Sequence, residues 1–119
     1  MENLTVDPKD AQDNKVMGIL AYLGILVLVP IFAAKESRFA RFHANQGLVL
    51  FIAYIVLYIA IAILAAILAV ISWRLAALAS VLYMIVGIGC FVFVILGIIN
   101  AAKGEMKELP LIGKFRILK

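Results

Sequence analysis

A chain of 119 residues that is 66% hydrophobic and only 15% charged carries more apolar surface than a core of its size can hide, since soluble domains run at about 45–50% apolar. Lipid must take the excess, and the net charge of +4 fits anionic headgroups better than nucleic acid. One His and one Cys exclude a disulfide within the chain and leave no set of metal ligands.

In chain order, the first fifteen residues mix Glu2, Asp7, Asp10 and Asp13 with Lys9 and Lys15. That is the wrong sign for the start of a secretory leader, so no cleavage is expected. Asp7-Pro8-Lys9-Asp10 predicts a helix start, because Asp accepts from free N–H groups and Pro suits the first helical position. Residues 16–34 then hold no Asp, Glu, Lys or Arg, a length that just matches a hydrocarbon core of about 30 Å. Their Leu, Ile, Val and Phe, each worth about −0.3 to −0.6 kcal/mol on insertion, outweigh two Gly and one Pro. A first spanning helix is therefore expected over about 16–34, with Pro30 as a kink or stop near its far end.

Residues 35–46 read as a basic, aromatic connector. On a helix, Phe39, Phe42 and Gln46 share one side and Arg38, Arg41 and Asn45 the other, so the rings are expected in the acyl boundary and the guanidinium groups at phosphates. The uncharged window 42–73 predicts a second spanning helix over about 44–71. Ser72-Trp73-Arg74 reads as a tight turn with Trp73 at the water–lipid boundary. The window 75–102 predicts a third helix, Gly104 a terminator, and 103–119 a basic amphipathic tail on the membrane surface. Residues 1–119 are thus expected to form a single membrane domain of the all-α class: a bundle of three transmembrane helices with an amphipathic connector and an interfacial tail. Connector and tail carry eight Lys and Arg against three for the N-terminal segment and the 72–74 turn. The positive-inside bias then places connector and C-terminus in the cytoplasm and the N-terminus outside, as a multi-pass protein of a prokaryotic inner membrane or a compartment derived from it.

Two groups of side chains stand out. Ala76, Ser80, Gly87, Cys90, Gly97 and Ala101 repeat at helical spacing, and small residues let backbones approach where the hydrophobic effect is absent. Ser80, Gly87, Gly97 and Ala101 are therefore expected at a helix-packing face, within the chain or against a second copy. Arg38, Arg41, Phe42, His43 and Gln46, with Pro110 and Gly113 of the tail, are expected to form an interface for a partner or for lipid headgroups. His43 and Gln46 need hydrogen-bond partners that lipid does not offer, and the bent backbone near Pro110 offers free N–H and C=O groups. Catalysis finds no residues: the spans contain no acid, no phosphate loop occurs, and no nucleophile has a base at readable spacing. No catalytic, cofactor or metal residue is expected.

Leu20-Ala-Tyr-Leu-Gly-Ile-Leu-Val-Leu-Val-Pro30, the run Phe42-His-Ala-Asn-Gln-Gly-Leu48, and the ending Ala101-Ala-Lys-Gly104 through Leu109-Pro-Leu-Ile-Gly113 together resemble a family of small membrane proteins. That family is related to the twenty-kilodalton component of the chloroplast Tic translocon and includes uncharacterised prokaryotic members and the MamF and MmsF type of magnetosome protein. The resemblance implies a compact bundle with an accessory role, assembling with other membrane proteins or organising a membrane compartment. The alternative is an oligomeric channel or translocon-like pore for protein or solute. A pore needs polar residues repeating along one face, whereas the second helix offers only Tyr54 and Tyr58 between Gly47 and Ile71 and the third only Ser80 and Tyr83 between Leu75 and Ile99.

Overall fold

The computed structural model describes residues 5–118; Glu2 and Lys119, both counted among the charges above, lie outside the described residues. All regular structure among them is helical. The chain divides into two units. One gathers the chain up to Phe51 together with Phe93 onward, and the other is Ile52–Val92.

In the first unit, α1 (Pro8–Asp13) begins as its sequence predicts: Pro8 occupies the first turn, and the Asp7 carboxylate accepts from the Lys9 N–H. Then the expected first span breaks. Residues 16–34 form α2 (Lys15–Leu20), a 3-10 turn (Gly24–Val27) and α3 (Leu28–Ala33), with α2 and α3 in contact with each other. Gly24 takes a positive φ of 64°, a conformation that a residue without Cβ adopts freely, and Pro30 lies in the first turn of α3, where no N–H partner is needed. As one helix this window would hold its ends about 27 Å apart. Instead Asp10, before it, accepts from the Ser37 hydroxyl, after it, at 2.5 Å. The window therefore turns back on itself, so the expected single helix over 16–34 is corrected, and among the described residues two helices are long and apolar enough to cross a membrane, Arg38–Ile71 and Trp73–Ala102.

The connector is corrected as well. Residues 38–46 are the first turns of α4 (Arg38–Ile71), whose start is fixed twice. Ser37 Oγ accepts from the Ala40 N–H at 3.0 Å, and Asp10 accepts from the Phe39 N–H at 3.0 Å, so the orphan donors of the first turn are satisfied by side chains. With no Pro inside it, α4 runs unbroken for 34 residues, about 51 Å. Phe39 and Phe42 do share a side, but both are buried in the protein rather than set in an acyl boundary.

The second unit is a hairpin of apolar helix. Ser72 leaves the helical conformation and its hydroxyl accepts from the Arg74 N–H, which starts α5 (Trp73–Ala76), followed by α6 (Leu78–Ala102). Val56, Ile63, Ile67, Ile85, Ile88 and Phe91 are each more than half exposed. Such a surface is stable in lipid, where apolar side chains lose nothing by facing outward. Tyr58 stacks near Tyr54 and Tyr83, with ring centroids 5.9 and 4.7 Å away.

Back in the first unit, α6 ends in a closed cap. Glu105 N–H donates to the Asn100 carbonyl, Gly104 N–H to that of Ala101, and Gly104 has φ 72°, the 6→1 and 5→2 pattern that spends the last carbonyls of a helix.

Candidate functional site

The polar run His43-Ala44-Asn45-Gln46 sits at the start of α4, and each polar side chain holds a different part of the tail. Gln46, fully buried, accepts from the Leu109 N–H at 2.8 Å and donates to the Gly113 carbonyl at 2.9 Å. One side-chain amide thus brackets the turn 109–113, where the Gly113 N–H returns to the Leu109 carbonyl. Gly113 has no substitute here, because a Cβ would overlap Glu108 and the Leu109 backbone. Asn45 accepts from the Ile117 and Leu118 N–H groups and donates to the Leu118 carbonyl. One side-chain amide thus holds the end of the described tail by three hydrogen bonds.

His43 is fully buried among the rings of Tyr22, Phe39 and Phe42, all in edge-on contact. Its Nε2 lies 2.7 Å from the Glu105 carbonyl and its Nδ1 2.6 Å from the Tyr22 hydroxyl. A carbonyl only accepts, so Nε2 carries the hydrogen and Nδ1 accepts from Tyr22; the imidazole is neutral with both nitrogens engaged. Neither nitrogen is open to a metal or to a substrate proton. No buried side-chain nitrogen or oxygen among the described residues lacks a partner.

Glycines let the first unit close around this cluster. Tyr22 reaches His43 because the chain leaves α2 at Ala21, whose carbonyl fits against α4 only where Gly47 has no Cβ. The Tyr22 ring covers Gly97 of α6, and Gly18 of α2 meets Phe39 and Ala101. The stripe on α6 accordingly divides. Gly97 and Ala101 are buried at these contacts, whereas a Cβ on Gly87 would meet nothing within 4 Å, and the Ser80 hydroxyl turns back to the Ala77 carbonyl. The expected packing face does not form as a whole within the chain.

The arginines of the run point elsewhere. Arg38, Arg41, Phe42 and Asn45 of α4 and Met106, Arg116 and Leu118 of the tail line a cleft of about 380 Å³. Arg116 is fixed there by three groups: Glu108 at 2.7 Å, the Gly113 carbonyl, and the Phe42 ring 5.4 Å from its guanidinium carbon. A second, larger cleft of about 680 Å³ is lined by Pro8, Ala11 and Gln12 of α1 and by Lys103 through Lys107. Residues 8–12 and the root of the tail thus lie beside each other.

Of the residues expected at an interface, Phe42, His43, Gln46 and Gly113 are buried, Arg38 and Pro110 are exposed, and Arg41 is half-buried. Tyr22, Asp10, Ser37 and Asn45 do as much to build the site as any of these. Of the four, only Asn45 belongs to the polar run, and the polar Tyr22 alone inside a long apolar window is the signal that marks it.

Comparison with known proteins identifies the family. Residues 13–116 match the model of a magnetosome magnetite crystal formation protein family. The chain is 30% identical to magnetosome protein MamF of Paramagnetospirillum magneticum over 84% of its own length and 79% of the relative's. It is 28% identical to MamF of Magnetospirillum gryphiswaldense over 93% and 92% of the two chains. It is also 33% identical to a membrane protein of Methanocaldococcus jannaschii over 85% and 83%. No solved structure matches.

Proposed function

The chain belongs to the magnetosome magnetite crystal formation protein family, and from that premise we propose that it is a small accessory protein of a membrane compartment. It organises other membrane proteins or the bilayer itself, without catalysis of its own. α4 and the α5–α6 stretch cross the membrane, residues 15–34 re-enter from the face they leave, and α1, the start of α4 and the tail form one polar cap on the cytoplasmic face. Charge supports this orientation. With α1 on the cap side, Lys9 and Lys15 join the connector and tail, and ten of the eleven Lys and Arg lie on one side with Arg74 alone on the other, a sharper positive-inside asymmetry than a three-span chain would have.

The observation that carries the accessory reading is the spending of the most polar run on internal contacts. His43, Asn45 and Gln46 hold the tail in place, so what they present to a partner is a shaped surface of tail and arginines rather than a reactive group. A pore draws no comparable support, because the polar side chains of the 52–92 hairpin are few and do not repeat along a face.

The test is complementation in a magnetotactic bacterium stripped of its MamF- and MmsF-type proteins. The parent chain should restore magnetite crystal formation. His43→Ala with Gln46→Ala should reach the membrane in the same amount and restore less. Failure of the parent chain to restore crystals, or a solute flux in liposomes that vanishes in the double variant, contradicts the accessory reading.

A further inference from the structure

The turn that Gln46 brackets carries at its tip a residue that the fold does not need. Leu111 has φ 68° and is 91% exposed, and the Ile112 N–H closes over it to the Pro110 carbonyl at 2.7 Å. A three-residue turn with its central φ positive is the rare, strained kind, and a side chain with a Cβ adopts it at a cost. At the other two positive-φ positions among the described residues, 24 and 104, the chain has Gly, which bears no such cost. Exposed as it is, the Leu111 side chain recovers nothing inside the protein. Nor is the turn a loose end, since Gln46 holds it on both sides, at the Leu109 N–H and the Gly113 carbonyl. An apolar side chain in a strained conformation on a rigid mount points to a surface outside the chain that receives it.

We propose that this surface is the bilayer: Leu111, with Phe115 and Ile117 after it, enters the boundary between headgroups and acyl chains in the leaflet on the cap side. Depth carries the choice of occupant. Side chains of α4 hold the tail at three levels, Glu105 by His43, the turn 109–113 by Gln46, and Ile117 with Leu118 by Asn45. The tail therefore advances along α4 as far as Gln46 and then withdraws, and Gln46 directly precedes Gly47, where the apolar run of α4 begins. The turn is thus the part of the tail held nearest the hydrocarbon, at a level where interfacial segments bury apolar side chains about 5–10 Å deep. The residues after it agree. Phe115 and Ile117 are exposed, at 62% and 48%, while Arg116 between them is turned to Glu108 and the Phe42 ring, so its charge does not oppose their entry. Lys114, also exposed, has a stem long enough to keep its ammonium among headgroups. A protein partner is the poorer occupant, because a stable contact buries about 800 Å² on each side and a few side chains at a turn offer far less, whereas lipid needs no matching shape. The inference rests on the membrane placement of the cap proposed above, and not on any role in crystal formation.

The full chain in a Cys90→Ala background, with single cysteines as Leu111→Cys, Lys9→Cys or Ile67→Cys, would be labelled with an environment-sensitive fluorophore and placed in phosphatidylcholine–phosphatidylglycerol nanodiscs, where both faces meet the buffer. Circular dichroism checks that each variant keeps its helix content. Iodide should quench the dye at position 111 about fivefold less than at position 9, and lipids brominated near the top of the acyl chain should quench it strongly. Because the dye is itself apolar, the bare thiol is measured too, and at position 111 it should react more slowly with a water-soluble maleimide than at position 9. Iodide quenching or thiol reactivity at position 111 equal to that at position 9 puts the tip in water and overturns the proposal. A dye at position 111 that neither iodide nor brominated lipid quenches is covered by protein, a second copy or a partner, and that also overturns it. Position 67 separates the two levels of the argument: lipid quenching there but not at 111 refutes the tip alone, and its loss at both refutes the membrane placement beneath it.

Discussion

The two units of this chain solve the same problem, the burial of apolar helix, with different solvents in view. In the first, every polar side chain of the run His43 to Gln46 is buried and hydrogen-bonded, glycines admit backbone and rings at contact distance, and Tyr22, Phe39 and Phe42 are wholly inside. In the second, residues 52–92, large apolar side chains face outward along both helices, and away from the Ser72–Arg74 turn the few polar groups are tyrosines in contact with one another and Ser80 bonded to its own turn. Hydrogen bonds specify the first, and lipid accepts the second. A hydropathy profile scores the two alike, since α4 passes from one unit to the other without a charged residue after Arg41.

Glycine substitutions should break the comparison most sharply. Gly47→Leu drives a side chain into the Ala21 carbonyl, and Gly97→Leu drives one into the Tyr22 ring. Overpacking costs about 1–3 kcal/mol where side chains can move, and more where backbone is struck, so Gly47→Leu should abolish recovery of folded protein and Gly97→Leu should lower the thermal midpoint in detergent. Gly87→Leu, with open space around it, should change the midpoint little. Similar losses at Gly87 and Gly97 would mean that the 52–92 hairpin is packed as tightly as the cap.

Next in size is the clamp. His43→Ala leaves the Tyr22 hydroxyl and the Glu105 carbonyl without a partner, and Gln46→Ala does the same to the Leu109 N–H and the Gly113 carbonyl. Each buried unsatisfied group costs about 1–3 kcal/mol. The double variant should expose residues 105–118 to protease and speed hydrogen exchange at Leu109, while Tyr58→Phe in the hairpin does neither. Protection unchanged in the double variant would remove the clamp from the account.

The smallest effect belongs to Asp10. Partial burial raises its carboxyl pKa, but hydrogen bonds from Ser37, the Phe39 and Arg38 N–H groups and Asn14 lower it further, so it lies below the ordinary value of 3.8. A folded-state value below the unfolded one gives stability that is complete above the unfolded pKa and lost as pH falls through the folded one. Asp10→Ala, which removes both acceptor oxygens, should cost about 1 kcal/mol at neutral pH, as the loss of a helix cap does, and should flatten the decline of the thermal midpoint as pH falls below 3.8. An equal decline in parent and variant would place the acid sensitivity elsewhere.

Much of this is legible in the residues. Windows of about 20 or more uncharged residues locate α4 and α6, Asp7-Pro8 marks α1, and the need of His43 and Gln46 for partners near Pro110 leads to the turn that Gln46 brackets. The window 16–34 is the instructive failure. Hydropathy counts its apolar residues, but Gly24 frees the backbone, Tyr22 is claimed by His43, and Gly47 on another helix makes room for Ala21, and only the first of these is local to the window. Phe39 and Phe42 fail for a related reason: periodicity shows that they share a side, and says nothing of whether lipid or protein covers it. The arginine cleft is invisible in sequence because Arg116 lies 75 residues beyond Arg41 and reaches it only through the clamp.

The central claim is that the cap is one-sided, with α1, the start of α4 and the tail on the same face and two crossings between them. It is tested most directly by single cysteines at Thr5, Arg74 and Leu118, in a Cys90→Ala background, labelled in intact cells with a membrane-impermeant maleimide. The account predicts labelling at position 74 alone, with positions 5 and 118 reacting only after the cells are opened. Labelling at position 5 in intact cells while position 118 stays protected would restore a third crossing and contradict it.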